Sequence, residues 1–163
     1  MLEILIKNGI YPDYEKKEMV KANIGIQDGK IAYIGQETPE AARVIEAEGK
    51  VVSPGFIDIH MHEEDFVHEG KQFIIANMML EMGVTTAVGG NCGVQKQPLS
   101  IFKSVLNELG GSPVNYLILA GYNHFRTELG IGRYAHPSQA QMDELQAIMK
   151  RELAEGAYGI SFG

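Results

Sequence analysis

The chain has 163 residues and a formal net charge of -7, with 45% hydrophobic and 21% charged residues. This composition is typical of a soluble globular protein, and the negative charge argues against nucleic acid or an anionic membrane surface as a partner. No apolar run could cross a bilayer, the first residues lack the layout of a signal peptide, and the single Cys92 cannot form an internal disulfide, so we expect a cytoplasmic protein.

Residues 1–53 are predicted to form a small β-rich domain. Short apolar stretches alternate there with turn signals, at residues 2–6, 23–27, 30–34, 43–47 and 50–52. The Lys-Asn-Gly after the first stretch indicates a turn. Asp28-Gly29 and Glu48-Gly49 each predict a two-residue hairpin between the stretches that flank them. No pattern of catalytic residues is found in this part of the chain.

After Pro54 the pattern changes to strands that alternate with helices. The predicted strands cover residues 56–59, 85–89, 114–120 and 158–162, and the predicted helices cover residues 69–82, 98–109 and 138–154. Ser138 and Gln141 indicate a capping box at the last helix, and residues 121–137 are expected to be a loop. Such alternation predicts an α/β fold with a parallel sheet, either open or closed into a barrel.

A barrel is favoured because no glycine-rich phosphate-binding sequence follows the first of these strands, and because the site of a barrel lies at the carboxyl ends of its strands. Four strands are half of the eight that a closed barrel needs. We therefore expect residues 54–163 to form the first half of a (β/α)8 TIM barrel, in a chain that is truncated after Gly163. The open strand edges of a half barrel would allow the chain to associate with itself.

Two histidines end the first strand of this region. His60 and His62 alternate with Met61, so both imidazoles point to the same side and could share a metal ion. The alternative is a pair of structural histidines at the end of a strand. Asp58 has the same parity, and it either orients His60 or caps the strand end.

Cys92 lies just past the next predicted strand, between glycines. Its parity with Thr86 and Val88 places it on the face to which the histidines point, and the carboxyl ends of parallel strands share one edge. A lone cysteine is commonly a small buried hydrophobe, but this position also suits a metal ligand. We therefore expect His60, His62 and Cys92 to lie within a few ångströms of one another.

The sequence PGFIDIHMH at residues 54–62, followed by GVTTAVGGNCG at residues 83–93, resembles the amidohydrolase superfamily. Its Asn-Cys-Gly resembles the D-aminoacylase (N-acyl-D-amino-acid deacylase) branch in particular, and the resemblance continues through residues 121–126 and 155–161. It implies a TIM barrel with a β-sandwich-type domain, to which residues 1–53 would contribute. The implied activity is hydrolysis of N-acyl-D-amino acids, which are small molecules, to a carboxylate and a free D-amino acid.

The resemblance also implies a centre of one or two zinc ions. His60 and His62 match the pair that holds one metal, and Cys92 matches the thiolate that holds the other or bridges them. The remaining histidine ligands and the aspartate that serves as general base and acid are expected beyond Gly163, so the 163-residue chain is expected to be inactive alone. His124 and Arg126 are candidates for contacts with the substrate.

Two alternatives remain open. Hydantoinases and dihydroorotases resemble this chain too, but the family pattern gives them a carboxylated lysine on the fourth strand, where residues 158–162 contain none. Lys103 and Lys150 fall on predicted helices, which favours the deacylase. The second alternative is a non-catalytic half barrel that associates with itself. Glu63-Glu64 stands where relatives usually have Asp-Asp, and His68 and His136 are expected to be solvated loop residues.

Overall fold

The computed structural model describes residues 1–163 and divides the chain into two compact units, Met1–Pro54 and Gly55–Gly163. The first unit is a single sheet whose strands lie in the order β3-β2-β1-β4. These strands are β1 (Leu2–Asp13), β2 (Glu18–Gln27), β3 (Lys30–Gly35) and β4 (Ala41–Glu46). β2 pairs antiparallel with β1 and β3, whereas β4 pairs parallel with β1.

The hairpin predicted at Asp28-Gly29 is confirmed. Gln27 pairs with Lys30 across it, and Asp28 and Gly29 have φ values of 52° and 67°. Two successive residues with positive φ match the right-handed twist of the flanking strands, which is why this dipeptide favours tight hairpins.

Two other predictions for this unit are wrong, namely the end of the first strand at Lys-Asn-Gly and the hairpin at Glu48-Gly49. The Lys-Asn-Gly segment does not end β1 but forms a bulge within it, where Asn8 has a φ of 61° and its backbone N–H donates to Asn23 Oδ1 at 2.8 Å. Glu48-Gly49 does make a turn, with a φ of 72° at Gly49, but the chain then continues in the same direction, and Val51 pairs parallel with Ile10. The segments on both sides of this turn pair with β1 rather than with each other.

The second unit is built on parallel strands, as predicted. β5 (Phe56–Asp58), β6 (Val84–Gly89) and β7 (Asn115–Ile118) form one parallel sheet, and β8 (Ala120–Gly121) pairs parallel with β9 (Ile160–Ser161). The helices are α1 (Ile75–Glu81), α2 (Leu99–Glu108), α3 (Tyr122–Glu128) and α4 (Gln139–Ala154). None of them is long and apolar enough to cross a membrane.

The helices differ from prediction in two places. α1 begins at Ile75 instead of residue 69. The backbone N–H of Ala76, in the first turn of this helix, donates at 2.9 Å to the carboxylate of Glu64, which lies 12 residues earlier in the sequence. α3 occupies part of the segment that was expected to be a loop. It forms because Phe125, only 1% exposed, packs against Leu145 of α4. The capping box of Ser138 at α4 is confirmed.

The core of this unit lies between the helices and the sheet. Three apolar clusters fill it, and one of them joins Phe66, Phe102 and Ile118. The first strand is different, because the side chains of Phe56 and Ile57 are 62% and 63% exposed. β5 therefore presents apolar side chains to solvent at the edge of the sheet.

Candidate metal centre

His60 and His62 follow directly after β5. The Asp58 carboxylate accepts the backbone N–H of His60 at 2.9 Å, so Asp58 caps the strand end and does not bind the imidazole. The backbone N–H of Met61 donates to Val88 O at 3.1 Å, and the Met61 side chain is buried. The two neighbouring histidine rings are consequently exposed, with centroids 6.1 Å apart.

Cys92 lies in the loop after β6, in a short 3-10 turn formed by Asn91–Gly93. Its φ of 57° is left-handed, a conformation that costs a non-glycine residue about 1–2 kcal/mol. Neighbouring contacts hold this conformation. The Asn91 side chain donates to Val88 O at 2.7 Å, and Ser161 Oγ accepts the N–H of Gly93 at 2.9 Å.

The three side chains converge in the structure. Cys92 Sγ lies 3.3 Å from His60 Nε2, and the potential ligand atoms of His60, His62 and Cys92 all lie within 4.8 Å of one another. Zinc bonds of about 2.0–2.1 Å to nitrogen and about 2.3 Å to sulfur place tetrahedral ligand atoms about 3.3–3.6 Å apart. One pair has this spacing already, and small side-chain rotations would bring in the third. Two imidazoles and a thiolate suit zinc, so these residues fit the ion.

A buried carboxylate forms hydrogen bonds with both ends of the Cys92 loop. Glu63 is 1% exposed, and its Oε2 accepts the N–H of Gly90 while its Oε1 accepts the N–H of Lys96, both at 2.7 Å. Gly89 makes room for this group, since a Cβ at that position would lie 2.9 Å from Glu63 Oε2. No local sequence signal indicates this role, since Glu63-Glu64 stands out in the sequence only as a departure from the usual Asp-Asp.

Glu64 points to a different part of the molecule, the start of α1. Burial raises the pKa of Glu64, and the backbone N–H groups of Ala76, Ile75 and Ile74 oppose that change. Burial, with the neighbouring charges of Glu64 and then Glu63, also raises the pKa of Tyr116, whose buried hydroxyl has no partner in the protein. Because its carboxylate accepts the N–H of Ala76 at the start of α1, Glu64 stabilises that helix rather than the loop of Cys92.

A second buried polar group connects the loop with α4. Glu152 is 1% exposed, and its Oε2 accepts from Gln95 Nε2 and from the N–H of Leu99, both at 2.9 Å. Gln95 Oε1 in turn accepts the N–H of Gly121 at 2.9 Å. The loop is thus fixed to both β8 and α4, by long-range contacts that no local sequence signal indicates.

A cavity of about 800 Å³ opens beside Cys92 and is lined in part by Tyr122, Asn123 and Arg126. The guanidinium of Arg126 donates to the carbonyls of Gly132 and Ala135, so it also fixes the wall of the cavity. The structure thus places Arg126, one of the two substrate candidates, in the same cavity as Cys92.

His124 does not line that cavity. Its ring packs against Phe125 with centroids 4.8 Å apart, and its Nε2 lies 3.7 Å from Glu128 Oε1. His68 and His136 are exposed, as expected for solvated loop residues. As predicted, Lys103 and Lys150 lie on helices, Lys103 on α2 and Lys150 on α4.

In sequence and in structure the chain is similar to known D-aminoacylases and a related deacylase. A D-aminoacylase of Alcaligenes xylosoxydans is 26% identical over 184 residues, which cover 99% of this chain and 37% of the relative. A solved D-aminoacylase with a binuclear metal centre superposes with a TM-score of 0.83 at 27% identity, covering 100% of this chain and 39% of that one. An N-acyl-D-glutamate deacylase of Bordetella bronchiseptica, complexed with zinc and a phosphonate inhibitor, gives a TM-score of 0.81 at 27% identity, with coverages of 99% and 38%. No protein-family model matches the chain.

The fold and these similarities relate the chain to the amidohydrolase superfamily, a class of metal-dependent hydrolases. Within that class it is similar to the N-terminal portion of the D-aminoacylases, which confirms the resemblance noted in the sequence. The chain spans well under half of the length of these relatives, 37% of one and 39% of another.

Proposed function

We propose that this chain carries the first part of the active site of a zinc-dependent hydrolase that removes the acyl group from N-acyl-D-amino acids. The observation that carries the proposal is the convergence of His60, His62 and Cys92 within 4.8 Å, in a chain that is similar to D-aminoacylases over nearly its whole length. The substrate is a small molecule, and the cavity beside Cys92 is the place for it.

The same comparison supports a proposal for the fold. We assign residues 54–163 to the first half of a TIM barrel of about four strands, and residues 1–53, whose four strands form one sheet, to part of a small β-sandwich-type domain. The order β5-β6-β7 and the parallel pairing of β8 with β9 support this assignment, because successive parallel strands joined by helices build such a barrel. His60, His62 and Cys92 then stand at the carboxyl ends of its first two strands, where sites of this fold are built.

His60 and His62 would bind zinc as neutral imidazoles, and Cys92 as a thiolate that holds the same ion or joins it to a second one. Zinc in such a site polarises an amide carbonyl and makes water a better nucleophile at neutral pH. Arg126 brings a positive charge to the cavity beside Cys92, which suits the carboxylate of an N-acyl-amino acid. His124, on the same helix, is a second candidate for contact with the substrate.

Zinc titration of the purified chain tests the site. His60→Ala, His62→Ala and Cys92→Ala are each expected to weaken zinc binding at least about tenfold, because each removes one of few ligands. His68→Ala and His136→Ala are matched controls, since they remove exposed histidines outside the cluster, and they should bind like the wild type. Equal affinity of the wild type and all five variants would refute the assignment.

Release of free amino acid from N-acyl-D- and N-acyl-L-amino acids tests the activity. We expect the 163-residue chain to bind zinc without turnover, so this assay requires the protein at the length of its relatives. Release from the D-series alone supports the deacylase. Ring opening of a hydantoin or of dihydroorotate, without deacylation, would support the cyclic-amide alternative instead.

A second candidate function is non-catalytic self-association. It is favoured by the exposed apolar side chains at β5, since Phe56, Ile57 and Ile59 are 62%, 63% and 74% exposed. Light scattering after size-exclusion chromatography measures the mass of the chain in solution. A dimer that Ile57→Lys disrupts would support this candidate, and a monomer at high concentration would contradict it.

A further inference from the structure

Glu63 is a buried carboxylate without a cationic partner. It is 1% exposed, and neither of its oxygens lies in an ion pair. Each oxygen instead accepts one backbone N–H at 2.7 Å, from Gly90 and from Lys96. Distances this short are typical of charge-assisted hydrogen bonds, which are stronger than those between neutral groups.

The two N–H groups lie on either side of Cys92, so one carboxylate closes the loop at both ends. This loop needs outside contacts to keep its shape, because Cys92 has a φ of 57°, a conformation that is strained for a residue with a side chain. A left-handed cysteine persists only where surrounding contacts fix it. The hydrogen bonds of Glu63 are such contacts, and they determine the span between Gly90 and Lys96.

Glu63 also joins the two segments that carry the candidate ligands. It follows His62 in the chain, whereas the two amides that it binds belong to the loop of Cys92. Gly90 lies 27 residues and Lys96 lies 33 residues after Glu63 in the sequence. A change in the position of Glu63 would therefore alter the spacing between the histidines and the thiol. That spacing decides whether sulfur and nitrogen can reach the same ion.

We propose that Glu63 is a positioning residue for the metal centre, which clamps the Cys92 loop so that the thiol stays within ligand distance of His60 and His62. The metal itself rests on the proposed function, but the clamp is a property of this chain without metal. Glu64 offers a natural contrast, because it is also buried, at 3% exposed, and adjacent in sequence, yet it accepts the N–H of Ala76 in α1.

The test compares Glu63→Gln with Glu64→Gln. Glutamine keeps the shape of the side chain but turns one acceptor oxygen into a donor, so E63Q loses one of the two bonds to the loop. Amide hydrogen exchange of the metal-free chain is expected to become at least about tenfold faster at Gly90 or Lys96 in E63Q, while E64Q leaves both amides protected. Should E63Q not fold, Glu63→Asp keeps the charge and shortens the reach, and its exchange is compared in the same way.

Metal binding gives a second readout. In E63Q we expect zinc affinity to fall about 10–100-fold and the thiolate-to-metal absorption of bound cobalt(II) to weaken, whereas E64Q keeps both. In a Cys92→Ala chain, Glu63→Gln should have no further effect on zinc affinity, because the clamp acts through the thiol. A general loss of structure would not produce this dependence on Cys92.

The outcomes separate the clamp from the proposed function. Unchanged exchange at both Gly90 and Lys96 in E63Q, or equal acceleration in E63Q and E64Q, would overturn the clamp. An additive effect of Glu63→Gln and Cys92→Ala on zinc affinity would overturn it as well. A wild-type chain that binds no zinc would instead contradict the proposed function, and hydrogen exchange alone would then decide whether Glu63 holds the loop.

Discussion

Replacing Gly90 by alanine tests the close packing on which the Cys92 loop depends. Gly90 has a φ of 76°, which a side chain disfavours, and an added Cβ would lie 2.0 Å from the carbonyl oxygen of Leu119. This contact is with backbone, so no side-chain rotation can relieve it. The segment after β6 would have to move away from the segment after β7.

The expected loss of stability follows from the backbone strain and from the hydrogen bonds that such a movement breaks. The left-handed backbone costs alanine about 1–2 kcal/mol. The bond from the N–H of Leu119 to Gly89 O, 3.0 Å long, contributes about 1 kcal/mol, and the bond from the N–H of Gly90 to the Glu63 carboxylate contributes about 1.5–3 kcal/mol. We therefore expect Gly90→Ala to lower the free energy of unfolding of this unit by about 3.5–6 kcal/mol.

Gly130→Ala is the matched control. Gly130 has a φ of 68°, but nothing lies within 4 Å of the Cβ that it would gain, so only the backbone cost of about 1–2 kcal/mol is expected. Urea denaturation followed by helical circular dichroism measures both variants, since all four helices lie in Gly55–Gly163. Equal midpoints for the two variants would refute the argument from close packing.

Three further predictions concern buried and titrating groups. Glu152→Ala should destabilise the second unit by about 2–4 kcal/mol in urea, because two buried N–H donors lose their acceptor, whereas Glu144→Ala on the exposed side of the same helix should change stability by less than about 0.5 kcal/mol. Tyr116→Phe should raise stability by about 1 kcal/mol in thermal unfolding, since it removes a buried hydroxyl without a partner. Burial raises the pKa of Asp65, but the hydrogen bonds from His68 lower it by more, so that the pKa lies below its ordinary value of 3.8. The ionised Asp65 therefore adds stability, less than about 1 kcal/mol after screening, above pH 3.8. Comparison of Asp65→Asn with the wild type should show this difference disappear as the pH falls below that value.

Each of these predictions has a result that would contradict it. Equal effects of Glu152→Ala and Glu144→Ala would mean that the buried hydrogen bonds contribute little. A Tyr116→Phe variant less stable than the wild type would show that the hydroxyl does find a partner. A difference between Asp65→Asn and the wild type that persists unchanged in acid would rule out ionisation as its source.

The convergence of His60, His62 and Cys92 could be anticipated from sequence because it rests on local rules. Alternating side chains on an extended segment place both histidines on one side of Met61, and parallel strands bring the following loop to the same edge. The structure shows the three side chains together, while their role as zinc ligands stays a prediction. The hairpin at Asp28-Gly29 was predictable for the same reason, as both of its strands are neighbours in sequence.

The remaining features depend on partners that are distant in sequence. Glu63 and Glu64 are charged, and nothing local indicates that each would be buried beside backbone amides at least 12 residues away. Helix α3 has a single buried residue, Phe125, which is too little to produce a helical period. The turn at Glu48-Gly49 was correctly predicted. The residues after it pair with β1, which is distant in sequence, and no local signal indicates that partner.

The left-handed backbone at Cys92 has a consequence for how the centre could be altered. Among residues with side chains, asparagine and aspartate adopt this conformation most readily. An asparagine or aspartate at position 92 would therefore offer a hard oxygen in place of the thiol while the loop, held by Glu63, keeps its course. Since oxygen ligands suit magnesium and manganese, and thiolates suit zinc, this single substitution would change the metal preference of the proposed centre without a change of backbone conformation.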